Sequence, residues 1–199
     1  MAGWTTHRGL AVGLPFEGID TDQLIPARFM STPRSAGYGN FLLHDRRRSE
    51  DGTLDPGFPL NQQAASGASI IVARRNFGGG SSREAAVYAL RDAGFVAVLA
   101  PSFGEIFAAN AVNNGLLPAL VSVDAAESLL AMCPHEITID LEQCCAFAGG
   151  QRFPFDVDPV WLTKIRNGWD DIDLTLSYQR QIAEFAQSRR LAEPWIFDV

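Results

Sequence analysis

Nine consecutive residues, Asn76-Phe77-Gly78-Gly79-Gly80-Ser81-Ser82-Arg83-Glu84, carry most of the chemical potential of this sequence. Three successive glycines let a backbone turn sharply and bring bare N–H groups close to a ligand. A helix expected to open at Ser81 points its positive end at the same spot, so the segment reads as an anion site. It is not a phosphate-binding P-loop, because the G-x-x-x-x-G-K-[ST] spacing and its lysine are missing, and it is not G-x-S-x-G. Nucleotide hydrolysis and serine-esterase chemistry therefore lose their main support. Ser81-Ser82-Arg83-Glu84 also satisfies the capping-box pattern, with Ser81 as N-cap and Glu84 reaching back from N3. On that reading Arg83 stands in the first helical turn, where a cation opposes the helix dipole. A carboxylate held by Arg83 and the loop amides would explain a residue that breaks the local rule.

The elements that must position this loop follow from hydrophobic patterning. Runs rich in Val and Ile alternate with helical patterns, the signature of an α/β layer structure. Strands are expected at 10–14, 68–73, 95–100, 116–121 and 136–141, and helices at 82–92, 103–113, 125–132, 159–166 and 174–190. The best-defined unit, Ala68 to Pro118, is a βαβα arrangement, which normally carries its ligand at the carboxyl ends of the strands. Its second helix repeats the start signal in Ser102-Phe103-Gly104-Glu105 and ends at Asn113-Asn114-Gly115, with Gly115 as an αL cap. The polar stretch from Arg46 to Gly67 reads as a long loop, functional, partner-facing or mobile. One domain over 1–199, with that loop and a helical C-terminal extension from about 159, fits the chain.

Composition excludes several classes. The 199 residues are 47% hydrophobic and 20% charged, outside the corner where chains stay disordered. A formal charge of −7 is a poor footprint for phosphate backbones, so no nucleic-acid partner is expected. No apolar run reaches the roughly 18 residues that span a bilayer, so no membrane partner is expected either. The N-terminus lacks the basic-then-apolar layout of a secretory signal, and a cytoplasmic location is expected. The three cysteines, Cys133, Cys144 and Cys145, are odd in number and form no C-x-x-C pair, so this chain is expected to bind no metal. Asp20 and Asp22 could form a D-x-D metal pair, but a cap or loop brace suits a turn better. Arg46-Arg47-Arg48 reads as a solvated or partner-facing surface rather than a substrate clamp.

Three separated motifs make a family resemblance specific. Asn76 to Glu84 is followed by Ala100-Pro101-Ser102-Phe103-Gly104-Glu105-Ile106-Phe107 and then Asn114-Gly115-Leu116-Leu117-Pro118. With Ile19-Asp20-Thr21-Asp22-Gln23-Leu24-Ile25-Pro26-Ala27-Arg28-Phe29 before them and Asn167-Gly168-Trp169-Asp170-Asp171-Ile172 after, the chain resembles the small subunits of the 3-isopropylmalate dehydratases over nearly its whole length. These are the detached swivelling domains of the aconitase superfamily. The resemblance implies an α/β fold with a mixed sheet or open barrel flanked by helices. It implies a heteromer in which a large subunit carries a [4Fe–4S] cluster and this chain closes over it.

The implied reaction is dehydration and rehydration of a hydroxy dicarboxylate, 2-isopropylmalate to 3-isopropylmalate in leucine biosynthesis, with the cluster iron as Lewis acid on the leaving hydroxyl. By the same resemblance Ser81 is the catalytic base, as an alkoxide, Ser82 helps bind substrate, and Arg83 clamps a carboxylate. Gly79 and Gly80 supply amides, and Arg28, like Arg34, is a candidate second substrate arginine by its place in the sequence. The family commonly has cysteine where this chain has Gly79, and histidine where it has Ala85. Those departures leave the serine and arginine in place but alter the floor of the site. They keep open a paralogous hydro-lyase for another branched or methyl-substituted hydroxy dicarboxylate. A non-catalytic carboxylate-binding module, in which Ser81 only caps, is the alternative of a different class.

Overall fold

Val and Ile are concentrated where strands are covered on both faces, and here that produces a closed barrel. The computed structural model describes residues 2–196; residue 1 and residues 197–199, the ends of the expected 1–199 unit, lie outside the described residues. In chain order the elements are β1 (Thr6–Leu14), α1 (Thr21–Leu24), β2 (Ile70–Ala73), α2 (Glu84–Asp92), β3 (Ala97–Ala100), α3 (Glu105–Asn113), β4 (Leu117–Val121) and α4 (Val123–Met132). There follow β5 (His135–Asp140), β6 (Cys145–Ala148), β7 (Gln151–Asp156), α5 (Pro159–Asn167), α6 (Asp171–Ser177) and α7 (Gln179–Ala192). The strands close in the order β1-β2-β3-β4-β7-β6-β5.

β1 to β4 run parallel, with Val12 opposite Ile71 and Val98 opposite Pro118. β5, β6 and β7 are antiparallel to their neighbours, and β5 closes the barrel on β1, with Gly9 opposite Ile137. Alternate residues of the parallel strands feed two apolar clusters. Val12, Leu14, Ile71, Ala73, Val98 and Ala100 pack against α2, α3 and the segment from Leu24 to Ala65. Ala11, Ile70, Val72, Ala97 and Leu99 pack with Ile137, Ile139, Phe153 and Phe155 and with side chains of α4 and α5. β2 and β3, buried at every position, read as unbroken apolar runs.

Several expected boundaries shift. Strands β6 and β7 form a hairpin through Gly149 and Gly150, both at positive φ, where no strands were expected. The expected helix over 174–190 is two helices. Asp170 caps the first, in a capping box with Asp173, and the chain breaks at Tyr178 before the second starts. Gly115 does take the left-handed conformation expected after α3, at φ 71°. The Arg46–Gly67 stretch carries short 3-10 turns at Pro59–Asn61 and Gln63–Ala65 and buries Phe58 and Ala65. Its arginines are not merely solvated. Arg46 lies over the Phe16 ring and donates to Gln23 Oε1, and Arg47 is half-buried and donates to Asn61 Oδ1 at 2.9 Å. Among the described residues no helix is long and apolar enough to cross a membrane.

Candidate active site

The glycine loop leaves the carboxyl end of β2 and is built into its neighbours through main-chain bonds. The Phe77 amide donates to Ser102 O at 3.0 Å and the Gly104 amide to Phe77 O at 3.0 Å, which lays the loop along the segment entering α3. On the other side the Gly78 amide donates to Ile19 O at 2.7 Å and the Thr21 amide to Gly79 O at 2.9 Å. The N-terminal Asp20-Thr21-Asp22 motif and the glycine loop are therefore one structure. Its packing leaves no room for a side chain at Gly78 or at Gly104. A Cβ on Gly78, whose φ is +72°, would lie 2.2 Å from Phe107 Cγ, and one on Gly104 would lie 2.4 Å from Gly78 O.

This geometry overturns the capping reading. α2 begins at Glu84 with Arg83 as its N-cap residue, and no side chain caps it. Ser81 stands two residues before the cap, exposed, and among the described residues neither its hydroxyl nor that of Ser82 has a hydrogen-bond partner. Glu84 does not reach back; its Oε1 accepts from Asn114 Nδ2 at 2.9 Å. The positive φ of Gly78 and Gly80 delays the helical turn past both serines, which the S-x-x-E pattern alone could not reveal. The second expected box fails in the same way, since α3 starts at Glu105 after Gly104. Ser102 Oγ instead accepts from the Asn76 amide at 2.8 Å, holding Asn76 at φ +60° at the entrance to the loop.

Gly78, Gly80 and Ser81 line a depression of about 220 Å³ together with Gly104, Glu105, Ile106 and Phe107. α3 starts in this lining, at Glu105, and α2 starts three residues after Ser81, at Glu84. Arg83 is mostly buried and forms an ion pair with Asp22. Thr21, a buried polar residue, donates from its hydroxyl to Ser81 O at 2.8 Å. Asp20 caps α1 by accepting from the Gln23 amide at 2.7 Å, the brace expected of it. Thr21 is a neighbour of the loop that the sequence reading does not single out, whereas Asp22 is read there only as a cap or brace and Ser102 only as a helix start. The D-T-D spacing was a signal, but only the register Asp20 beside Gly79 shows which element it serves.

Other expected site residues fall elsewhere. Gly79 lies in the loop, but the space a Cβ there would take is filled by the Asn76 side chain, 2.8 Å away. Arg28 does not line the depression. It forms an ion pair with Asp45, stacks over Phe29, and borders a separate hollow with His44 and Arg48. The Arg28 guanidinium holds the Asp45 carboxyl well below the usual carboxylate range. Arg34 is likewise taken, donating to both oxygens of Asp92 and lying over the Tyr88 ring. Proximity in sequence pointed at these two arginines, and the fold directs both away.

Comparison with known proteins agrees with this fold. Residues 1–123 match the aconitase C-terminal domain. A 3-isopropylmalate dehydratase small subunit from Shouchella clausii is 43% identical over 182 residues, covering 90% of this chain and 92% of that protein. The chain belongs to the 3-isopropylmalate dehydratase small-subunit family. The Geobacillus kaustophilus member is 43% identical over 189 residues, covering 93% of this chain and 96% of its own. The crystal structure of 3-isopropylmalate dehydratase from Methanocaldococcus jannaschii superposes with a TM-score of 0.66 at 26% identity, covering 91% of this chain and 99% of that one. The α/β fold expected from the sequence is therefore the family's, and the barrel is closed rather than open.

The cysteines of this dehydratase small subunit are not placed to hold a cluster. Cys133 faces an apolar cleft beside Val12 and Leu130, and burial pushes its thiol up to about 11. Cys145 is buried on β6, and burial also raises the thiol of Cys144. Among the described residues no three His, Cys, Asp or Glu side chains gather as a metal site. Among the described residues the donor set does not fit an iron–sulfur cluster.

Proposed function

We propose that this chain is the small subunit of a hydro-lyase that isomerises 2-isopropylmalate to 3-isopropylmalate by dehydration and rehydration, in leucine biosynthesis. Its partner is a large subunit carrying a [4Fe–4S] cluster, which supplies Lewis-acid chemistry at the leaving hydroxyl when bound. The observation that carries this reading is the pair of exposed serines directly after the glycine turn, Ser81 lining its depression and Arg83 following in sequence, in a chain of this family.

The chain's own residues divide the remaining work. A proton next to a carboxylate is very weakly acidic, so its removal needs a strong base together with donors aimed at the charge that develops. Ser81, as an alkoxide, is the base. The amides of Gly79 and Gly80 and the start of α2 face the developing charge. Ser82 helps bind substrate, and Arg83 grips a substrate carboxylate while Asp22 fixes its guanidinium. Arg28 is left out of this set, because it borders a separate hollow with His44 and Arg48.

Co-expression with a cluster-bearing large subunit is expected to give a complex that interconverts the isopropylmalates, and this chain alone is expected to be inactive. Full turnover by this chain alone would refute the split site. Running a methyl-substituted malate beside isopropylmalate separates the paralogous substrate from the expected one. Arg83→Lys is expected to raise KM roughly tenfold or more with a smaller effect on kcat, since a point charge cannot reproduce a two-pronged grip. An unchanged KM would remove the clamp.

A further inference from the structure

Beside the glycine-loop depression lies a second hollow, of about 170 Å³, that the chemistry above does not use. Phe103, Leu120, Val157 and Trp161 form its walls, and the carboxylates of Glu105 and Asp158 stand at it. Glu105 lines both hollows, so the two adjoin at the start of α3. Large apolar side chains that a monomer would normally cover remain open on the elements around it. Leu120 on β4 is 40% exposed, Ile106 on α3 54%, and Val160 on α5 49%.

We propose that this hollow is an anchor site for the large subunit, receiving one apolar side chain whose neighbours are basic. The inference rests on the heteromeric reading above and adds the surface through which it acts. Three observations carry it. First, Ser81 lines an open depression, so a partner that completes the reaction must cover it, and the covering surface reaches the hollow across the shared Glu105 wall. Second, the hollow has room for a single large apolar side chain, and buried anchors in such pockets dominate the energetics of protein interfaces. Third, Glu105 and Asp158 give it an acidic edge on a chain of net charge −7, so a basic flank on the partner is complementary and a second copy of this chain is not.

Leu120 tests the proposal without disturbing the fold, because its side chain is exposed and it pairs across the sheet with Asp156. A lysine there has that carboxylate beside it. With wild-type small subunit, a titration of large subunit gives a half-saturation of activity. Leu120→Ala is expected to raise that half-saturation about tenfold and Leu120→Lys at least 100-fold, with the same turnover at saturation and an unchanged Tm of the free small subunit. Half-saturation equal to wild type in both variants would overturn the anchor while leaving the heteromer standing. Wild-type chain that fails to bind the large subunit at all overturns both. Concentration-dependent self-association of the wild-type chain, abolished by Leu120→Lys, would assign the hollow to a second copy and overturn the proposal.

Discussion

Ser81→Ala in the assembled enzyme is expected to lower kcat by about a thousandfold or more, with KM within a few-fold of wild type and Tm unchanged. The last clause is what the fold adds. Were Ser81 the N-cap of α2, its loss would cost roughly 1 kcal/mol and the kinetic result would be mixed with a stability defect. The helix starts at Glu84, the Ser81 hydroxyl has no partner among the described residues, and its side chain is exposed. Its removal therefore has almost nothing structural to disturb. Activity and thermal unfolding measured on the same preparation decide the matter. A drop in Tm with activity largely retained would return Ser81 to a structural role and favour the non-catalytic binding module.

Gly78→Ala is expected to destabilise the chain by about 2–4 kcal/mol and to abolish activity at the same time. Two costs coincide at this position. The backbone is at φ +72°, where an L side chain is strained, and the added Cβ would lie 2.2 Å from the ring of Phe107. That ring cannot step aside, because Phe107 is buried and packs edge-on against Phe77, at 5.5 Å between centroids, and stacks with Phe103. Gly52→Ala is the control. Its φ is +84° but nothing lies within 4 Å of the added atom, so only the backbone term of about 1–2 kcal/mol is expected. Denaturant melts of the two variants separate packing from backbone strain. Equal losses would mean that the loop is looser around Phe107 than its geometry requires.

The parts of this molecule that sequence made legible are those where a local pattern has one physical solution. Ile70 to Ala73 is apolar at every position because both faces are covered, and Gly78 and Gly80 take the positive φ that glycine adopts without strain. What stayed hidden depends on contacts between distant segments. Arg83 looked like a cation misplaced in a helix, yet it is the N-cap residue and pairs with Asp22, sixty-one positions earlier. Ser102 looked like a cap, yet it holds Asn76. The hairpin of β6 and β7 was missed because its strands are short and alternate weakly, although Gly149-Gly150 marks its turn. Arg28 and Arg34 were drawn toward the substrate by adjacency in sequence alone, and Asp45 and Asp92 claim them.

Closure of the barrel bears on the life of the subunit before it meets its partner. An open sheet ends in a strand whose free N–H and C=O groups invite another chain to add on, the route to strand-by-strand polymerisation. Here β5 bonds to β1, so every strand of the ring has a neighbour on both sides. Among the described residues the ring therefore offers its own copies no free strand edge on which to add.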